Sequence, residues 1–173
     1  MGLPPEFTPQ MTREQAIELA QRYAYEDDQA AMAAGVAIAG GAFTRKNLLK
    51  IYDWKTRGRG RARIEENTDE EISDVLSLSV QATTPRAAIA VLTGLRGVHT
   101  PVASAIMTAI RPAEYTILDF RALEGLGNIE VDRSVSFYLR YLRFCQALAH
   151  QWQLPLRTLD KALWQWSVEN PAH

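Results

Sequence analysis

At 173 residues, 47% apolar and 23% charged, the chain is sized for one globular domain that buries a core without covalent staples. Its single cysteine, Cys145, excludes an internal disulfide and any cysteine-rich zinc or iron–sulfur site. The start MGLPPEFTPQ has no charged region followed by an apolar run, no stretch approaches the roughly 20 apolar residues of a membrane span, and a net charge of −1 gives no overall attraction to nucleic acid. A cytoplasmic protein outside the membrane is expected, and any DNA-binding face has to come from local clustering of charge.

Thr12 and Gln15 form a capping box, and the Ala-rich pattern after them predicts a helix to about residue 34, interrupted by the glycines at 35, 40 and 41. From Arg45 to Arg63 eight basic side chains face one acid, Asp53, and the stretch 56–61, Thr-Arg-Gly-Arg-Gly-Arg, reads as a flexible loop. Thr68 and Glu71 form a second capping box, opening a helix with an acidic first turn and Ile72, Val75 and Leu76 on its apolar side. Thr84-Pro85 and Thr100-Pro101 each place an N-cap before a proline at the first helical position. Between them Leu95-Arg-Gly-Val-His99 has room only for a tight turn, so residues 85–110 form a helical hairpin. Residues 115–118 are extended or irregular, and Asp119 caps a short helix ending near Gly127. Apolar residues from Val135 to Trp152 recur every three or four positions, and Leu159, Ala162, Leu163 and Trp166 repeat the pattern. No alternating strand and no internal repeat is present; the class is all-α, a single compact helical domain over residues 1–173.

A hairpin between two capped helices directs the first amides of the second helix outward, where they suit a phosphate. Gly97 permits the turn and a close approach of backbone, Pro101 fixes the helix start, and Leu95 and Val98 anchor the hairpin in the core. Such contacts hold a DNA backbone without reading its sequence. The residues by themselves leave an ordinary αα-hairpin equally open.

The segment Leu95-Arg-Gly-Val-His-Thr-Pro-Val-Ala-Ser-Ala-Ile-Met107, followed by Tyr115-Thr-Ile-Leu-Asp119, resembles the signature of the helix-hairpin-helix DNA glycosylase superfamily. The match covers about residues 86–127, and the 22 positions from Gly97 to Asp119 are similar to the spacing in the adenine-excising, MutY-like branch, here without its iron–sulfur cluster. Two positions depart from the pattern. His99 stands where the family has its second hairpin glycine, and Pro101 stands where bifunctional members carry a Schiff-base lysine.

The resemblance implies a monofunctional DNA N-glycosylase that excises a damaged, mispaired or modified base from double-stranded DNA, with no lyase step through position 101. Asp119 would stabilise the cationic sugar or activate water, and the base would be flipped out of the helix. No cofactor is expected beyond a monovalent cation that the resemblance implies at the hairpin, and no metal ligand set stands out. Gly97, Val98, His99 and Thr100, with Lys55 and Arg57, are the candidate DNA-binding residues; Trp54 and Tyr115 are the candidate base-pocket residues. The competing reading keeps the fold and loses the chemistry: a DNA-binding or scaffold domain in which Asp119 only caps a helix.

Overall fold

Helix α7, Thr100–Ile110, is the element around which the others are arranged: apart from Pro101, each of its residues is buried. A helix apolar on every side has to be covered on every side. In the computed structural model, which describes residues 5–130 and 132–171, ten helices and no strands are present among the described residues. They are α1 (Arg13–Gln21), α2 (Asp28–Ala39), α3 (Arg45–Thr56), α4 (Arg61–Glu65), α5 (Asp69–Gln81), α6 (Pro85–Thr93), α7, α8 (Phe120–Gly125), α9 (Val135–Trp152) and α10 (Leu156–Glu169). Helices α2, α3 and α6 pack on α7, with α5 behind them. A second group joins α1, α8 and α10, and α9 touches both α6 and α10, so it ties the two groups together. No described helix is long and apolar enough to cross a membrane.

Local signals explain most boundaries. Thr12 with Gln15 and Thr68 with Glu71 make complete capping boxes, Thr84 accepts from the Ala87 amide, and Ser134 caps α9. Three expectations are corrected. The helix expected from residue 12 to 34 is two helices, broken at residues 22–27 where Tyr23 and Tyr25 turn inward onto Trp164. Gly35 does not interrupt α2; it lies inside it, where an added Cβ would fall within contact radius of the Ala109 carbonyl oxygen. The α2 and α7 backbones meet at that point, and glycine is what allows it. The basic stretch is likewise shorter as a loop than expected, because Arg61 already starts α4 and pairs with Asp53 and Glu65.

The chain between α7 and α8 has no repetitive structure, so its polar groups are held from outside. Ser104 of α7 accepts from the Leu118 amide at 2.9 Å, while Tyr138 and Tyr141 of α9 donate to the carbonyls of Thr116 and Ile117 at 2.9 and 2.8 Å. Residues 5–11 run across the far end of α8, with Thr8 and Gln10 amides donating to Leu126 and Gly125. Phe7 packs there against Phe137, Tyr141 and Phe144.

Gly35→Ala is expected to lower unfolding stability by about 2–3 kcal/mol, the cost of forcing atoms into a filled core. Urea denaturation measures it; a loss within experimental error would show that α2 and α7 can separate freely.

Candidate functional site

The connection between α6 and α7 spans residues 94–99 and is fastened from one side. Asn67, 4% exposed, accepts from the Arg96 amide at 3.0 Å and donates to the Arg96 and Ile64 carbonyls at 3.0 and 2.8 Å. Gly97 has φ +80°, and a Cβ there would lie 2.9 Å from the Ile64 backbone nitrogen. Its bare side therefore faces α4, not an incoming phosphate; the residue is needed for close approach within the fold. Val98 and Thr100 are buried as well. His99, exposed like Gly94 and Arg96 of the same turn, is the N-cap of α7, one residue earlier than Thr100-Pro101 suggests, and its side chain makes no cap bond.

Asp119 has two partners. One carboxylate oxygen accepts from the Arg121 amide at 3.0 Å and caps α8, and the other accepts from Lys55 Nζ at 3.1 Å. Lys55 comes from the last turn of α3, and the two side chains are 14% and 19% exposed. Most of the pair's water is thus removed while one edge remains reachable.

Behind it lies an aromatic group from three parts of the chain. Tyr25 meets Trp54 and Trp164 edge-on at 5.8 and 5.2 Å, and Tyr23 meets Trp164 at 5.4 Å. The Tyr25 hydroxyl donates to the Trp54 carbonyl at 2.6 Å. Arg157 lies over the Tyr23 and Trp54 rings at 5.5 and 5.8 Å and forms ion pairs with Asp28 and the buried Asp160. Burial works against the Arg157 guanidinium, yet Asp160, Tyr23 and Asp28 hold its proton above the ordinary value. Burial also pushes the Tyr23 and Tyr25 hydroxyls up, so both hold their protons more tightly than an exposed phenol. Trp54 Nε1 and Arg157 Nε are buried without a hydrogen-bond partner. Tyr23, Tyr25, Trp54, Trp164, Arg157 and Asp160, with Lys55 and Asp119, line a small cavity of ≈ 20 Å³, enough for about one water molecule.

Outside the pair the surface opens into a cleft of ≈ 630 Å³ between the two helix groups, with Asp119 and Lys55 on its wall. Arg57 and Arg59 line it from the α3–α4 turn, Arg121 from α8 and Arg133 from the segment before α9. None of these four arginines forms an ion pair among the described residues. Arg57 lies over the Tyr25 ring at 4.8 Å, and Arg121 over Phe120 at 5.1 Å. Phe120 and Ile129, 61% and 86% exposed, are large apolar side chains on the same cleft.

Of the residues singled out from sequence, Lys55, Arg57, His99 and Asp119 come together on this cleft. Trp54 is 6% exposed and reaches only the inner cavity. Tyr115 is 2% exposed and lines neither space, because it packs in the core. Sequence reasoning passed over Tyr23, Tyr25, Arg157, Asp160 and Trp164. One signal was available: Trp164 falls off the apolar stripe that Leu159, Ala162, Leu163 and Trp166 define, and a tryptophan off the stripe has to be covered by something other than the main core. No group of three potential metal ligands occurs among the described residues. No family model, curated protein or solved structure matches the chain.

Arg157→Leu leaves Asp28 and Asp160 short of a counter-charge and is expected to cost about 3–5 kcal/mol of stability. Adding Asp160→Asn should recover part of that loss in urea denaturation; equal stability of the single and double variants would disprove the coupling.

Proposed function

We propose that the chain is a DNA N-glycosylase that removes a damaged, mispaired or modified base by hydrolysis. The observation that carries this reading is the half-buried Asp119–Lys55 pair on the wall of a cleft bordered by four arginines with no acidic partner. Lys55 and these four arginines share the cleft lining with Asp119, Glu124, Glu130 and Asp132, and the guanidinium groups that have no acidic partner are the ones free to meet a phosphate backbone. On this reading α6, the Asn67-fastened turn and α7 act as a helix-hairpin-helix, whose uncapped first turn at His99 receives a backbone phosphate.

The chemistry follows from the charge that develops. Cleavage of an N-glycosidic bond makes the sugar cationic, and a fixed carboxylate in a poorly hydrated place stabilises that cation more than it would in water. Asp119 is fixed by both of its hydrogen bonds. A water in the small cavity beside it could attack C1′ of the sugar, with Asp119 taking its proton while the C1′–N bond breaks and the base leaves with the bonding electron pair. Access to a base requires its extrusion from the duplex, and the exposed Phe120 and Ile129 offer apolar surface to occupy the space it leaves. The substrate base would lie against Tyr25 and Trp164, which border both the cavity and the cleft. The bond from the Arg121 amide to Asp119 also supports the second reading, a DNA-binding domain in which the carboxylate serves only as a cap.

Base release from duplexes carrying alkylated, oxidised, deaminated or mispaired bases separates the two. Asp119→Asn keeps a capping oxygen and removes the charge, so it should bind DNA as wild type does while releasing base at least about 100-fold more slowly. Binding by wild type without release of any base would favour the non-catalytic domain.

Contact with DNA has its own test. Replacing both Arg57 and Arg59 by Ala should reduce the slope of log affinity against log salt by about 2, one unit for each lost phosphate contact. An unchanged slope would place the DNA elsewhere on the surface.

A further inference from the structure

Tyr25, Lys55, Asp119 and Trp164 border both the small cavity and the cleft, so two rings, one ammonium and one carboxylate meet where an extruded base would come to rest. Lys55 Nζ lies 3.1 Å from the Asp119 carboxylate, which holds the lysine in its charged form, and both side chains are mostly withdrawn from water. Glu124, Glu130 and Asp132 also line the cleft, but none of them borders the cavity. Each ring of the aromatic group already carries a cation of the protein over one face. Arg57 covers Tyr25 at 4.8 Å and Arg121 covers Trp164 at 5.7 Å, while Arg157 lies over Tyr23 and Trp54. Rings engaged in this way do not form an open cage for a ligand cation.

We propose that the Lys55 ammonium is a second catalytic group, stabilising the departing base as an anion, and that the substrate is accordingly a base neutral in DNA, of the deaminated or oxidised kind. The proposal rests on the glycosylase reading and deepens it, naming the substrate class and the residue that selects it.

Heterolysis of the C1′–N bond separates charge: the sugar becomes cationic and the bonding pair stays on the base. With the sugar beside Asp119 and the base beside Lys55, each developing charge meets its opposite. Before the reaction the two side chains compensate each other, so neither charge stands alone in a poorly hydrated place. Water adds to C1′ and gives a proton to Asp119. Lys55 donates a hydrogen bond to the base atom that gathers the negative charge and keeps its own proton. The released anion takes a proton from solvent, and Asp119 returns one there, so atoms and charge balance without oxidant, metal or cofactor. A base that is already cationic, such as N7-methylguanine, departs neutral. It gives Lys55 no negative charge to stabilise, and before cleavage it stands among like charges, the Lys55 ammonium and the guanidinium groups of Arg57 and Arg121.

The experiment uses the full chain and duplexes carrying uracil, hypoxanthine, 8-oxoguanine or N7-methylguanine, each rate being divided by the spontaneous loss of the same base. Wild type should accelerate the loss of at least one of the three neutral bases and should accelerate that of N7-methylguanine far less. Lys55→Gln should lower kcat for the neutral base about 100-fold, the usual effect of removing one preorganised electrostatic donor, with KM for the duplex little changed. The ratio of neutral to cationic release should fall with it, and Lys55→Arg should restore most of that ratio. A lysine that only positioned Asp119 would slow both kinds of base and leave the ratio as it was. Equal or greater acceleration with N7-methylguanine, or an unchanged ratio in Lys55→Gln, overturns the proposal while leaving the glycosylase reading intact. Release of none of the three neutral bases also overturns it; the glycosylase reading itself fails only if alkylated and mispaired duplexes yield no base either.

Discussion

The all-round burial of α7 is the constraint on which the remaining structure depends. A helix reading Thr-Pro-Val-Ala-Ser-Ala-Ile-Met-Thr-Ala-Ile has no polar face for solvent, and its small residues let other backbones come close. Gly35 and Ala109 use that freedom to bring α2 almost into backbone contact. With α2, α3 and α6 laid around it, the start of α7 can emerge in one direction, toward the cleft, where His99 and Pro101 lie beside Asp119. The position of the turn at 94–99 is thus a consequence of packing and does not depend on a ligand.

The same helix governs the placement of Asp119 indirectly. Ser104 is one turn inside α7, donates to the Pro101 carbonyl at 2.6 Å and accepts from the Leu118 amide. With the two tyrosine hydroxyls from α9 it fixes the carbonyls and amide of residues 116–118, so the next residue, Asp119, leaves a rigid segment already aimed. Satisfying buried backbone groups and orienting a carboxylate are here one and the same requirement. Lys55 reaches that carboxylate because α3 ends at Thr56, and the left-handed Arg57 then turns the chain away.

Helix existence was largely legible in the sequence because caps and periodicity are local. Thr12, Thr68, Thr84 and Asp119 each announce a start through one side chain and one amide. The break at 22–27 was not legible, since Tyr23 and Tyr25 leave the helix to satisfy contacts with Trp54 and Trp164 that lie about 30 and 140 positions away. Gly35 misled for the same reason: its purpose is a neighbour from α7, whereas local rules read glycine as an interruption. Gly97 shows the converse. Its left-handed turn follows from local rules, but the direction of its bare face is set by Arg63 and Ile64 on another segment. Of the cleft residues, Asp119, Lys55, Arg57 and His99 could be singled out because charge clusters and motif spacing are visible along the chain, whereas Asn67 and Asp160 enter only through tertiary contacts.

Energetics separates this region from the rest of the protein. Pairs such as Arg22–Glu169 and Arg140–Glu6 lie on the surface, where ion pairs contribute little and cost little. Around Asp119 the opposite holds. Three carboxylates, a lysine and an arginine are withdrawn from water together, and two buried donors, Trp54 Nε1 and Arg157 Nε, have no partner. Each such group opposes folding unless fully compensated, and apolar residues of the same volume would pack there at lower cost. Departures of this kind from local economy collect where a protein does chemistry, because preorganised charge acts on a reacting group without further rearrangement. The Cys145 thiol, also fully buried, has its proton held more tightly by that burial and lines neither the small cavity nor the cleft, so burial alone does not make a site. What distinguishes the Asp119 region is that its buried charges open onto a cleft bordered by unpaired arginines.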